Sequence, residues 1–303
     1  MPGVSQVESS GSPDKLARRQ GNGQPHEMKS VFLLVGSLGL AGAAVPAPSA
    51  APEPRTSTQK WVLDFADQQC VASREYGTAD EPLVLVLKPS PLGDVVQMSL
   101  ITKATNDAPR ETDIDMTIDS DPAIRIKGLA FNSTRAKFRS IRINLPVETA
   151  ARLARATRLS VTAVGELSEA FLLSQMPALM PEMDRCMVDL KRHWNIDETS
   201  KAKLRSRVQG NLAQYFTGRD YPELAIQKQR GGSVKFALLI DETGKVADCT
   251  VTASSSVPVL DAQSCGILMT RARFKPAVGA DGKPPKDAVG GTVSWRMSLN
   301  RAR

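Results

Sequence analysis

GSVKFALLIDETGKVADCTVTA, residues 232–253, reads as two strands joined by a tight turn. Val234, Phe236, Leu238 and Ile240 recur at every second position, so an extended chain puts them on one face. Asp241-Glu-Thr-Gly244 follows, with a glycine able to take positive φ where the chain reverses. Ala247, Cys249, Val251 and Ala253 then alternate on one face of the return strand. A hairpin with one apolar face needs a further layer to cover it.

That layer is legible just downstream. Ser254–Ser256 and Pro258 mark a helix start, with a serine cap and a proline in the first turn, and the helix runs to about Ala272. After a loop carrying Asp281-Gly282-Lys283-Pro284-Pro285, a last strand sets Val293, Trp295, Met297 and Leu299 on one face. Ser294, Arg296 and Ser298 take its other face. Upstream, Tyr221-Pro222 ends an extended segment and opens a short helix, because proline disfavours helix in the residue before it. The order is helix–strand–strand–helix–strand.

Further upstream, Ile196, Leu204, Val208, Leu212 and Phe216 lie mostly four apart, with Lys201, Lys203, Arg205 and Arg207 between them. This predicts an amphipathic connecting helix over 196–217. Residues 61–195 are dense in short strand-like runs: Leu83–Leu87, Val95–Ile101, Ile114–Ile118, Ala123–Ala130, Lys137–Leu145 and Ser160–Val164. Two helices are expected among them, from Pro146 to about Arg158 and from about Pro181 to Trp194.

The first 60 residues differ in character. Residues 1–27 are polar and read as disordered or untranslated, with Met28 as the initiator. Met28-Lys29-Ser30, an apolar run over 31–45 and small residues to Ala50 have the pattern of a signal peptide, cleaved near Ala43 or Ala50. Uncleaved, the same 28–50 segment would be an inner-membrane anchor. Residues 51–60 form a linker.

Charge divides the chain. Residues 61–195 carry 16 Lys+Arg against 18 Asp+Glu, and residues 196–303 carry 17 against 10, so the net +7 arises in the C-terminal part. Two histidines, His26 and His193, leave little for a histidine metal cage or a catalytic triad. No phosphate loop, HExxH or GxSxG motif is present, and neither an enzyme nor a cofactor is expected. Export and few aromatics argue against nucleic acid as a partner. The carboxylates from Glu111 to Asp121 and the arginines from Arg135 to Arg142 alternate with apolar residues, so both runs read as solvated strand faces.

The C-terminal residues resemble the TonB C-terminal domain family. The resemblance is carried by Tyr221-Pro222, Gly232-Ser-Val-Lys-Phe236, Asp241-Glu-Thr-Gly-Lys-Val246, Ser254-Ser255, Leu260-Asp261, Arg273-Phe274-Lys-Pro276 and Asp281-Gly282, at family order and spacing. It implies an α+β chain in which 218–303 is a small domain of two helices and a three-stranded antiparallel sheet, behind a mostly-β domain with two helices. It also implies a periplasmic protein that binds the TonB-box peptide of an outer-membrane transporter by strand addition. The pairing strand would be about Thr292–Leu299, with Thr292, Ser294, Arg296 and Ser298 on the partner-binding edge and Arg219 and Tyr221 flanking it. The inner-membrane proton-driven motor is implied as a second partner if the N-terminus is an anchor. A typical family member has a long Pro-rich spacer; here the Pro/Ala/Ser stretch over 46–60 is about 15 residues. The alternative is therefore a soluble envelope-binding or structural protein, with peptidoglycan among its candidate partners. The oligomeric state stays open, a homodimer included. Residues 61–194 resemble small exported domains of the invasion-associated locus B type, through Trp61, Cys70, Arg74-x-Tyr76-Gly77 and Cys186…Leu190…Trp194.

Four cysteines in an exported chain point to two disulfides with three pairings open. Cys249 on the hairpin and Cys265 on the following helix should meet where helix and strand pack. Cys70 and Cys186 would then bracket the N-terminal domain.

Overall fold

Alternating apolar residues build a large sheet first. The computed structural model describes residues 2–9, 52–92, 95–133 and 137–297; the 28–50 segment, Ser298 and Leu299 lie outside the described residues. Along the chain come β1 (Pro2–Ser9), β2 (Pro54–Arg55), β3 (Val62–Ala66), β4 (Gln69–Glu75), β5 (Leu83–Pro89) and β6 (Val96–Lys103). Then follow β7 (Arg110–Ile118), β8 (Ile124–Asn132), β9 (Phe138–Leu145), α1 (Val147–Leu153), β10 (Arg158–Ala163), β11 (Leu167–Leu172) and α2 (Met176–His193). Ten of these strands join in the order β2-β11-β10-β7-β8-β9-β6-β5-β4-β3. All neighbours are antiparallel except β2 beside β11.

One face of this sheet is apolar. Leu85, Met98, Leu100, Ile114, Met116 and Ile141 are fully buried there. α2 lays Met176, Leu179, Met183, Cys186 and Leu190 over the same core, at spacings of three and four that keep one helix face inward. α2 begins five residues before the expected Pro181, because Pro177 is the first-turn proline and Pro181 lies inside the helix. α1 is shorter than expected, since Arg158 already belongs to β10.

The connecting helix over 196–217 does not form. The segment is broken into α3 (Glu198–Lys201), β12 (Leu204–Ser206) and a 3₁₀ turn, Leu212–Tyr215, with a second 3₁₀ turn, Gly218–Asp220, just beyond it. β12 pairs with β15 (Val278–Gly279), and Gln209 exchanges backbone hydrogen bonds with Lys275. Gly210 is packed against the Phe274 ring, where a Cβ would lie 2.7 Å from a ring carbon. Val208, Leu212 and Phe216 are still buried, in a second core. Val208 lies between elements, and Leu212 and Phe216 open and close the first 3₁₀ turn, so their four-residue spacing belongs to an irregular strap.

That second core belongs to α4 (Glu223–Gln227), β13 (Gly232–Ile240), β14 (Val246–Ala253), α5 (Pro258–Arg271) and β16 (Asp287–Met297). β16, β13 and β14 form a three-stranded antiparallel sheet, and α5 packs on it. Gly244 has φ +81° in the β13–β14 turn, as the turn requires. The serine cap is not found: Val257 is the N-cap, and Ser254 and Ser255 instead donate to the Asp261 carboxylate at 2.5 and 2.7 Å.

Both expected disulfides are present, Cys70–Cys186 tying β4 to α2 and Cys249–Cys265 tying β14 to α5. The two cores lie in one compact unit. The sheet face opposite α2 meets the C-terminal segment through Lys88–Asp248 at 2.8 Å, Arg230–Glu111 at 2.6 Å and Asn144–Asp261 at 3.3 Å. Leu239 and Ala288 add apolar packing to the first core.

Two solvated strand faces are corrected by this arrangement. Glu111 is buried against Arg230 and Lys228 rather than wet. Arg139 is 1% exposed, points to the core side of β9 with Ile141 and Ile143, and makes a two-pronged ion pair with Glu166 at 2.6 and 2.7 Å.

Candidate strand-binding edge

β16 is held from one side only by the three-stranded sheet. Its register on β13 runs from Asp287 opposite Ile240 to Trp295 opposite Gly232. Val293 and Trp295 point into the core and are essentially unexposed. Trp295 sits between Phe216 and Tyr221, with ring centroids 5.8 and 5.3 Å away and both contacts edge-on. Close backbone approach fixes the start of the sheet: a Cβ on Gly231 would lie 2.5 Å from the Trp295 carbonyl oxygen.

The remaining residues of the edge divide. Thr292 and Ser294 are half-buried on the opposite face, and the Ser294 hydroxyl lies 3.0 Å from that of Ser233. Arg296 is exposed, and Ser298 lies outside the described residues. Arg219 is exposed on the 3₁₀ turn. Tyr221 is 5% exposed and donates its hydroxyl to the Arg230 carbonyl at 2.9 Å, so its side chain is a core element next to the edge. Burial pushes the Tyr221 phenol up from its ordinary value. Beside it, burial works against the Asp220 carboxylate, yet hydrogen bonds from Thr217 and the Arg271 guanidinium outweigh it and hold the pKa below the usual range.

The outer side of β16 is paired. β1 lies antiparallel along it, with Pro2 opposite Met297, Gly3 opposite Arg296, Val4 opposite Trp295 and Ser9 opposite Gly291. The register shifts between Val4 and Val7. Pro2–Ser9, read from the sequence as unstructured, thus form the fourth strand of this sheet, in the order β1-β16-β13-β14. Glycine, serine and valine give that stretch no strong strand signal of its own, so only the open edge could have revealed it.

Hairpin, covering helix, buried tryptophan and edge strand occur together in one order, and residues 217–297 match the family model of the Gram-negative bacterial TonB protein C-terminal. This segment is similar to the TonB C-terminal domain. No curated protein and no solved structure matches the chain. The TonB C-terminal family is a non-enzymatic protein-interaction domain, and its members are envelope-associated; the match supports a TonB-like protein in envelope energy transduction.

Other candidates from the sequence fall away from this edge. His193 is exposed at the end of α2, with Nε2 2.6 Å from the Lys286 amine. Among the described residues no group of three or more His, Cys, Asp or Glu side chains is placed to hold a metal ion, and no helix is long and apolar enough to cross a membrane. Trp61, Arg74 and Tyr76 form one stack, with the Arg74 guanidinium 5.8 Å from the Trp61 ring and 5.6 Å from the Tyr76 ring. Arg74 and the Trp61 indole both donate to the Ser174 carbonyl, which closes the N-terminal strands onto the start of α2.

Proposed function

We propose that the chain binds an extended partner peptide along β16 by strand addition, in the manner of a TonB box from an outer-membrane transporter. The observation that carries this reading is β1, an eight-residue strand that lies antiparallel on that edge without being part of the sheet's own hairpin order. An edge strand presents a row of backbone donors and acceptors, and any extended segment of suitable register can satisfy them. Thr292, Ser294, Arg296 and Ser298 would set the specificity, with Arg219 at the flank. Export to the periplasm, by cleavage or anchoring at 28–50, is part of the same reading.

The test is a titration of a fluorescent TonB-box peptide into the whole chain and into a chain starting at Pro52. Binding to the shorter chain, competed by a synthetic peptide of residues 2–9, is expected. Absence of binding by either chain overturns the reading.

A second reading is supported by the ion pairs that fasten the TonB domain to the ten-stranded sheet. A domain fixed to a large neighbour, behind a short linker, suits a soluble envelope-binding protein that attaches to peptidoglycan or an envelope protein without transducing energy. Membrane fractionation separates the two: co-purification with the proton-driven motor supports transduction, and a soluble mature protein without it supports the second reading.

A further inference from the structure

The contact between the ten-stranded sheet and the TonB domain is not filled. A cavity of about 320 Å³ opens between β5, β6, β8 and β9 on one side and β14 and α5 on the other. That volume lies at the lower end of the range for small-ligand sites. Leu129, Val251 and Met269 supply apolar wall; Gln97, Asn144 and Ser254 supply neutral polar groups.

Five charged side chains face this space, and four of them are committed. Lys88 is paired with Asp248 at 2.8 Å. Lys127 reaches out to Asp113 at 2.6 Å. Asp261 accepts from Ser254, Ser255 and Asn144. The fifth is Arg142. Its side chain makes no ion pair among the described residues, and its Nε has no hydrogen-bond partner. Its guanidinium lies over the Phe131 ring, 4.8 Å from the centroid. Neighbours pack around it closely enough to desolvate it, and burial holds its pKa below the ordinary arginine value. It is part-exposed and lines the cavity.

A buried guanidinium does not shed its proton to escape this cost, so its charge calls for a counter-ion. Arg139, three residues earlier on the same strand, shows the contrast: it points to the other face and is fully matched by Glu166. We infer that the cavity is a binding site for a small carboxylate ligand, of amino-acid to dipeptide size, whose carboxylate pairs with Arg142. One uncommitted positive charge favours a monoanion over a phosphate, and the planar guanidinium fork matches a carboxylate. The apolar wall takes the remainder of the ligand.

The test uses the whole chain and N-acetyl-Ala-Ala as the probe, as free acid and as C-terminal amide, by isothermal titration. The free acid is expected to bind about tenfold or more tightly than the amide, and Arg142→Gln is expected to erase that preference. Arg142→Lys, which keeps the charge and loses the fork, should bind the acid with intermediate affinity. Without ligand, Arg142→Gln should leave the thermal midpoint unchanged or raise it, since it removes an unmatched charge. No binding of the free acid, equal binding of acid and amide, or a lowered midpoint for unliganded Arg142→Gln each overturns the proposal. Inorganic phosphate is the control anion; displacement of the probe by phosphate at equal concentration would also overturn the choice of a carboxylate.

Discussion

The Trp295 indole N–H donates to the Ser264 hydroxyl at 3.0 Å, joining the C-terminal end of the edge strand to the inner face of α5. Ser264 in turn donates to the Leu260 carbonyl at 2.8 Å, and both side chains are buried. Ser264→Ala leaves the indole without a partner in a site closed to water. The expected loss is about 1–3 kcal/mol of stability, read by chemical denaturation of the whole chain. An unchanged midpoint would show that the indole finds another acceptor.

Glu166 carries the buried charge balance of the ten-stranded sheet. The hydrogen bonds from Arg139 hold its carboxyl below the ordinary 4.5, with burial opposing and Arg110 assisting. Glu166→Gln leaves Arg139 unmatched and should cost about 3–5 kcal/mol. Because the folded pKa is depressed, this stabilisation is complete above pH 4.5 and is lost as the pH falls through the folded value. Asp261 has the opposite sign: burial raises its pKa above 3.8, so its contribution declines as the pH rises from 3.8 through the folded value. Denaturation curves between acid and neutral pH, with and without each carboxylate, separate the two.

The disulfides should differ in worth. Cys70–Cys186 closes a separation of 116 residues and Cys249–Cys265 one of 16. Chain-entropy arguments give about 4.7 kcal/mol for the longer loop and about 3 for the shorter. The Cys70→Ala/Cys186→Ala double variant should therefore lose more stability than Cys249→Ala/Cys265→Ala. Equal losses would place the effect in local strain or residual structure instead.

Gly244→Ala tests the hairpin turn. The position has φ +81°, and a Cβ would lie 2.0 Å from the Phe274 carbonyl oxygen. Phe274 also donates its backbone N–H to the Gly244 carbonyl, so neither side can move without breaking a hydrogen bond. A loss of about 1–3 kcal/mol in thermal or chemical denaturation is expected.

What the sequence revealed follows from period and turn chemistry. Val234, Phe236, Leu238 and Ile240, and Val293 with Trp295, could be placed because each set lines the face over the second core, although Ala237 and Leu239 are buried on the other face of β13 as well. The strap from Ile196 to Phe216 misled because Val208, Leu212 and Phe216 are buried four apart along an irregular path, which imitates a helical stripe. Arg139 and Arg142 share a strand, and their spacing of three puts them on opposite faces, but nothing in it says that one is paired and the other lines a cavity. Those fates depend on Glu166 and on α5, which come from elsewhere in the chain. β3, β4 and β11 carry mixed apolar and charged residues and were hidden for the same reason. The edge residues Thr292, Ser294 and Arg296 could be named from the last strand, whereas the core burial of Tyr221 required the three-dimensional contact with Trp295.

The strand order β1-β16-β13-β14 also sets a load path. A segment lying along β16 and pulled along its own axis loads the rungs between the two strands in shear, many at once, because backbone hydrogen bonds run across the strand direction. Tension then passes through β13 to β14, and from β14 into α5 through a covalent stitch at Cys249–Cys265. The Lys88–Asp248 pair hands part of it on to the ten-stranded sheet. Traction on the edge is thereby spread over the whole unit before any one strand must peel away.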